Sequence, residues 1–205
     1  MKVDLKRELP CYRARRGTFT VVDVPPLQHL AVDGRGDPNA SPAYADALAA
    51  LFPLAYAVKF LSRDELGRDH MVMPLEALWW SDDLAAFTTA RDKARWEWTV
   101  MITVPPWITG EHVEAARAVA RRKVPTPTLD AVRLRPSDEG RCVQTLHVGP
   151  YDDEGPVLEA LHQDFLPAHG LRPTGKHHEI YLGDARRTAP EKLRTILRQP
   201  VADGP

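Results

Sequence analysis

One arrangement repeats along this chain: a strand entering a glycine turn, a helix, then two more strands, all spelled twice within 205 residues. The first copy opens at residues 27–36 (LQHLAVDGRG), an apolar stretch that ends in a glycine-rich turn and reads as a strand. Ser41 and Pro42 then supply a helix cap and a first-turn proline. Tyr44, Ala47, Leu48, Leu51, Ala55, Val58 and Leu61 recur at helical spacing up to Arg63, with Pro53 inside the pattern. Residues 71–80 (MVMPLEALWW) and 95–104 (RWEWTVMITV) read as strands joined by a polar connection. The second copy has a strand at 141–149 (RCVQTLHVG), a helix at 154–169 with Leu158, Leu161 and Phe165 on one stripe, and strands at 176–182 and 192–198.

Residues 109–123 read as an amphipathic connecting helix capped by Thr109, with Glu111, Glu114, Arg117 and Arg121 on its wet side. A repeated βαββ order predicts an α+β fold, a single domain over residues 1–205 with pseudo-two-fold symmetry. Its first half is 18–108, its connecting helix and linker 109–129, and its second half 130–205. Helices should cover one face and leave a ligand cleft on the other, where the two short sheets join. Aligning the copies pairs Leu75-Glu76-Ala77-Leu78 with His178-Glu179-Ile180-Tyr181, so each half carries a Glu at the corresponding point.

Composition narrows the partners. Lys and Arg number 27 against 28 Asp and Glu, for a net charge of -1, which leaves no basic surplus to neutralise the phosphates of a nucleic acid. The opening MKVDLKRE is charged where a secretory leader needs an apolar run, and no stretch reads as long enough to span a bilayer. Cys11 and Cys142 fit no CxxC spacing and suit a reducing compartment. The expectation is a soluble cytoplasmic protein with neither a nucleic-acid nor a membrane partner. An exposed Trp among its five would favour a homodimer.

Strand parity then singles out one carboxylate. Alternate residues of a strand point to opposite faces. If Ile180 and Leu182 pack beneath the helices, His177, Glu179 and Tyr181 share the other face. A carboxylate beside an aromatic ring suits either a solvated strand face or a cleft in which aromatic walls hold a flat molecule and a few polar groups orient it. His177 and His178 are adjacent and diverge, so they do not readily share a metal ion. Gly34-Arg35-Gly36 has too few glycines for a dinucleotide loop, and there is no GxSxG elbow. No metal and no cofactor are expected. Tyr151 follows Gly149-Pro150 at a strand-to-helix turn, where the acids Asp152, Asp153 and Glu154 suit the positive end of a helix.

Taken as an ordered set, VPPL at 24–27, VDGRGDPN at 32–39, MPLEALWW at 73–80, HVGPYDDE at 147–154, HHEIYL at 177–182 and PEKLRTILRQPV at 190–201 resemble the GyrI-like small-molecule-binding family. The likeness covers nearly the whole chain and looks closest to a free-standing branch that includes cyclopropanoid cyclopropyl hydrolases. Those enzymes detoxify DNA-alkylating natural products of the yatakemycin type. The resemblance implies two βαββ (SHS2-like) modules and a cleft with a central acid, which maps onto Glu179. The family's GPY tyrosine maps onto Tyr151, and the candidates for an aromatic cage are Tyr44, Trp79, Trp80, Trp107, Phe165 and Tyr181. Ala77 departs from the glycine expected in a PLEGLWW-like segment.

The implied substrate is a hydrophobic aromatic small molecule in which a strained cyclopropane is conjugated to a dienone. Opening the ring restores a phenol, so much of the driving force resides in the substrate. Glu179 would orient and deprotonate the attacking water with Tyr151 as a hydrogen-bond partner, help worth roughly 10²–10⁴-fold. The rival is a non-catalytic protein that sequesters flat, often cationic xenobiotics, with Glu179 as counter-charge and aromatic rings as stacking surface. Both readings stand on the sequence.

Overall fold

The computed structural model describes residues 2–81, 93–122, 124 and 127–204. Most of the polar connection between residues 80 and 95 lies outside the described residues, as does Pro125. The described strands are β1 (Thr20–Val24), β2 (Leu27–Arg35), β3 (Leu75–Trp80), β4 (Glu97–Val104), β5 (Arg133–Ser137), β6 (Gly140–Val148), β7 (Leu171–Pro173), β8 (His177–Tyr181) and β9 (Arg194–Asp203). The chain is a mixed α+β protein that divides into two compact units. The first comprises Met1–Glu8, Leu27–Met73 and Ala77–Ser137, and the second Leu9–Pro26, Pro74–Glu76 and Asp138–Pro205.

In the first unit the strands lie in the order β5-β2-β4-β3. Leu30 of β2 sits opposite Ile102 of β4 on one side and Leu134 of β5 on the other, all antiparallel. The helix Pro42–Glu65 packs on β2 and β4, buries Ala47, Leu51, Leu54 and Val58, and runs on through Pro53. Leu51, Leu54 and Val58 have no exposed surface, and burying each such side chain is worth about 1.5–3 kcal/mol. By length and composition this helix could cross a membrane, contrary to the sequence reading. Half of its most apolar window is buried within the protein, as a core helix requires.

The connecting helix is Gly110–Arg121, with Thr109 accepting from the His112 backbone in a capping box. Arg117 corrects the expectation of a wet face. It is buried, and its guanidinium donates to the carbonyls of Leu129 and Val132 and pairs with Glu114. Those carbonyls belong to the short helix Pro127–Ala131 and the residue just past it, and a buried Arg is tolerated because they satisfy its donors.

In the second unit the order is β1-β6-β9-β8, with β7 added to β9. The single helix expected over 154–169 is instead segmented: a 3₁₀ turn at Tyr151–Glu154, α-helix at Gly155–Glu159, a π-helical stretch at Ala160–Phe165 and a last α-turn at Leu166–Ala168. A spacing of 3.6 residues carries no information about a widened turn, and such turns gather at functional sites. Leu161 and Leu166 from this segment meet Val143, Leu171 and Val201 in the core, with Phe19 and Phe165 packed against them. Strands β1, β5 and β7 were not foreseen. Pro136 and two arginines disguise β5, which lies at the end of its unit's strand order, where proline is tolerated.

Candidate functional site

Residues directly opposite in paired strands share a face. In the second unit Thr145 lies opposite Leu197, which lies opposite Glu179; one step away Gln144 lies opposite Arg198, which lies opposite His178. Val143 has the parity of Thr145 and touches the helical segment, so His177, Glu179 and Tyr181 sit on the helix-covered face of this sheet. The grouping of these three matches the parity argument, while the assignment of their face is reversed. The physical reason is that the opposite face is already covered by the segment around Cys11 and Tyr12. Ile180 is fully buried on that face, and Leu182 lies past the end of β8, half-buried.

Glu179 is held from two sides. Tyr181 donates its hydroxyl to Glu179 Oε2 at 2.7 Å, and His177 Nε2 lies 3.5 Å from Oε1. The Glu179 side chain keeps 13% of its surface exposed and that of His177 only 3%. The Tyr151 ring meets the Tyr181 ring edge-on at 5.4 Å. Burial, with Glu154, Glu179 and Asp184 nearby, pushes the Tyr151 phenol up to about 12, so it stays protonated and able to donate.

The Gly149-Pro150-Tyr151 turn is built locally. Gly149 has φ of 143°, which favours glycine, and His147 Nε2 donates to the Pro150 carbonyl at 3.0 Å. His147, Thr195 and Tyr181 share one register row of β6, β9 and β8, and the buried Thr195 hydroxyl has no hydrogen-bond partner among the described residues. Sequence reasoning quoted His147 only as part of a motif. Its place at the end of a strand, two residues before a glycine turn, was the available signal. His162 stands on the π-helical stretch, and burial followed by the nearby His177 lowers its pKa.

Behind Glu179, on the other face of β8, lies a closed ionic network. His178 Nδ1 is 3.0 Å from both oxygens of Glu139, and its Nε2 is 3.1 Å from Glu76 Oε2. Tyr12 donates to Glu76 Oε1 at 2.8 Å. Arg198 donates to Glu139 at 2.9 Å, to Gln144 at 3.1 Å and to the Cys11 carbonyl at 2.7 Å. Burial alone would raise Glu139, but His178 and Arg198 bring it down to about 2. Burial would lower His178, and the two carboxylates raise it instead, keeping the imidazolium. Glu76 and Glu179, aligned in sequence, thus diverge: Glu76 is sealed in this network on the far side of β8 from Glu179.

The remaining cage candidates are dispersed. In the first unit Tyr44 stacks with Trp79 at 6.0 Å and meets Trp98 edge-on at 5.1 Å, and Trp96 joins Trp79 at 5.7 Å. Gly34 makes room for this cluster, since a Cβ there would fall 2.1 Å from the Trp98 ring. Trp80 is half-buried at the end of β3. Trp107 donates to Ser62 at 3.0 Å beneath the Arg68 guanidinium, and Phe165 packs on Phe19 and His169. Among the described residues no group of three or more His, Cys, Asp or Glu could hold a metal ion.

An acid framed by phenols on a mixed α+β fold suits the binding of a small molecule. The chain belongs to the GyrI-like family: the profile of the GyrI-like small molecule binding domain matches residues 18–202. Among solved structures, an uncharacterized conserved protein from Listeria innocua is 39% identical, with a TM-score of 0.87 over 98% of this chain and 100% of that one. A structure described as a hydrolase from Listeria innocua is 38% identical, with a TM-score of 0.82 and the same coverage. The EcmrR C-terminal domain, at 10% identity and a TM-score of 0.58 over 91% of this chain and 98% of its own, shares the fold alone. No curated protein matches the chain.

Proposed function

We propose that this protein is a hydrolase that adds water across the strained cyclopropane of a flat, aromatic, DNA-alkylating toxin of the yatakemycin type and so detoxifies it. The observation that carries the reading is the Glu179 carboxylate, fixed at 2.7 Å by the hydroxyl of Tyr181, whose ring meets the Tyr151 ring edge-on at 5.4 Å. The relatives described as hydrolases, 37% and 38% identical to this chain, support water as the co-substrate. In the reaction the water oxygen bonds to the unhindered cyclopropane carbon while its proton passes to Glu179. The breaking C–C bond sends its electron pair into the dienone, which becomes a phenolate and is then protonated. Tyr151, held as a neutral phenol, is the donor we assign to the developing negative charge.

Tyr181, which the sequence cast as a cage wall, becomes the group that orients the base. We read the two units as copies of one βαββ module, supported by their matching strand orders, β5-β2-β4-β3 and β1-β6-β9-β8.

The test is to incubate the protein with a yatakemycin-type cyclopropanoid in ¹⁸O-labelled water and follow the compound by mass spectrometry. Gain of one labelled water, dependent on protein, supports the hydrolase. Tight binding with no mass change would replace it with sequestration.

A further inference from the structure

The first unit holds a histidine with a hydroxyl on each ring nitrogen. His29 Nε2 lies 2.6 Å from Ser137 Oγ, and its Nδ1 lies 2.9 Å from Thr103 Oγ1. Strand β2 supplies the histidine, β4 the threonine directly opposite it, and β5 the serine. On β2, Gly34 lies opposite Trp98, whose ring meets Tyr44 of the helix Pro42–Glu65, so the even-numbered positions face that helix and His29 faces away from it. We infer that Ser137 is a nucleophile, with His29 as its general base and Thr103 as the group that orients the imidazole, and that this second site accepts the acyl group of an activated ester.

His29 and Thr103 keep only 2% and 1% of their surface exposed, so water does not compete for the ring nitrogens. Ser137 is half-buried and ends the last strand of its unit's order, which leaves its hydroxyl within reach of a small electrophile. With Nδ1 donating to Thr103, Nε2 is the nitrogen that takes the serine proton, and nucleophile, base and orienting group stand in one chain of hydrogen bonds. Other hydroxyls of the unit are engaged differently: Ser62 donates to the Arg68 carbonyl at 2.6 Å and Thr99 to Asp33 at 2.7 Å. Arg135 lies on the face of Ser137, two residues along β5 and directly opposite His29, with its guanidinium held on Asp33 at 2.9 and 2.7 Å. A fixed cation there suits an acyl oxygen that gains negative charge.

In the reaction the Ser137 oxygen bonds to the ester carbonyl carbon as its proton passes to His29 Nε2. The C–O bond to the leaving group then breaks, and the leaving oxygen takes that proton from His29. Water, deprotonated by the same nitrogen, releases the acid and restores the serine, so the net change is ester plus water to acid plus alcohol.

The probe for this site is a fluorophosphonate, which forms a P–O bond to an activated serine and expels fluoride, followed by intact mass and mapping of the labelled peptide. Wild type should gain one phosphonyl group at Ser137, Ser137→Ala should gain none, and His29→Gln should label at least about tenfold more slowly. The wild-type rate should rise with pH as His29 loses its proton, and that dependence should vanish in His29→Gln and shift in Thr103→Val. No label on the wild type, or a label that persists in Ser137→Ala, would overturn the site. A wild-type rate in His29→Gln would overturn the base, and a wild-type pH profile in Thr103→Val the orienting group. If His29→Gln does not fold, the wild-type pH profile decides, and a flat one overturns the assignment. Ser137→Ala should still hydrate a cyclopropanoid at the wild-type rate, and loss of that hydration would overturn a separate site.

Discussion

On one face of β8, His178 is wedged between Glu139 and Glu76 with 1% of its surface exposed, and Arg198 and Tyr12 close the remaining sides. On the other face, one residue along, Glu179 has a tyrosine at 2.7 Å, a histidine at 3.5 Å and an opening to its surroundings. Both faces hold acids, histidines and tyrosines. In the first the charges are balanced, two carboxylates against an imidazolium and a guanidinium, with ion-pair distances of 3.1, 3.0 and 2.9 Å. In the second the Glu179 carboxylate accepts from the Tyr181 phenol, has His177 at 3.5 Å and keeps part of its surface exposed. Residue type alone does not distinguish a structural acid from a working one. The balance of its neighbours does.

The comparison can be broken from the structural side first. Replacing Arg198 with Met leaves Glu139 and His178 to share the buried site with an uncompensated charge. Removing one partner of a buried pair costs about 3–5 kcal/mol, which chemical denaturation would read as a large fall in midpoint. Whatever protein remains folded should keep its affinity for ligand.

Acid should act next. Glu139 titrates near 2 in the fold against an ordinary value of 4.5, a difference worth roughly 3 kcal/mol. A lowered carboxyl stabilises above its unfolded value, so this contribution is present above about pH 4.5 and is lost as pH falls towards 2. His178 has the opposite sign: its raised value means the stabilisation is complete below the ordinary 6.5 and declines as pH climbs through the folded value. Stability should therefore peak between the two, and Glu139→Gln should flatten the acid limb of a melting-temperature profile.

On the face that carries Glu179 the effects expected from the proposed reaction are on rate. Tyr181→Phe removes the hydrogen bond that orients Glu179, so hydration should slow by about 10-fold to 100-fold, and the loss of a bond to a charged acceptor, worth about 1.5–3 kcal/mol, should lower the melting temperature as well. The smallest effect belongs to the thiols. Burial, followed by Glu139, pushes Cys142 up to about 12, and burial also raises Cys11. Neither should react with iodoacetamide at pH 8 until the protein unfolds, as mass spectrometry would show.

Much of this was legible in the sequence. The helical stripe from Ala47 to Leu61, the capped helix after Thr109 and the alternation that groups His177, Glu179 and Tyr181 all follow from local periodicity, and each is found where the pattern put it. Which face of β8 the helices cover was not legible, because alternation gives two sets and no sign. The sign is set by the segment around Cys11 and Arg13, whose backbone carbonyls accept from Arg198 and Gln144 more than a hundred positions away in the chain. The buried Arg117 was missed for a related reason: a charged residue at a boundary position turns inward only when distant carbonyls wait for it. The acid network behind Glu179 has no sequence signature, since Glu76, Glu139, His178 and Arg198 come from separated segments.

The central claim is that Glu179 does chemistry while the acids on the other side of the strand hold the fold. Its most direct measurement is the hydration rate of a yatakemycin-type cyclopropanoid by Glu179→Gln, taken together with the variant's substrate Kd and melting temperature. The account predicts a rate lower by roughly 10²–10⁴-fold with Kd and melting temperature near those of the wild type. Undiminished hydration by a folded Glu179→Gln would contradict it.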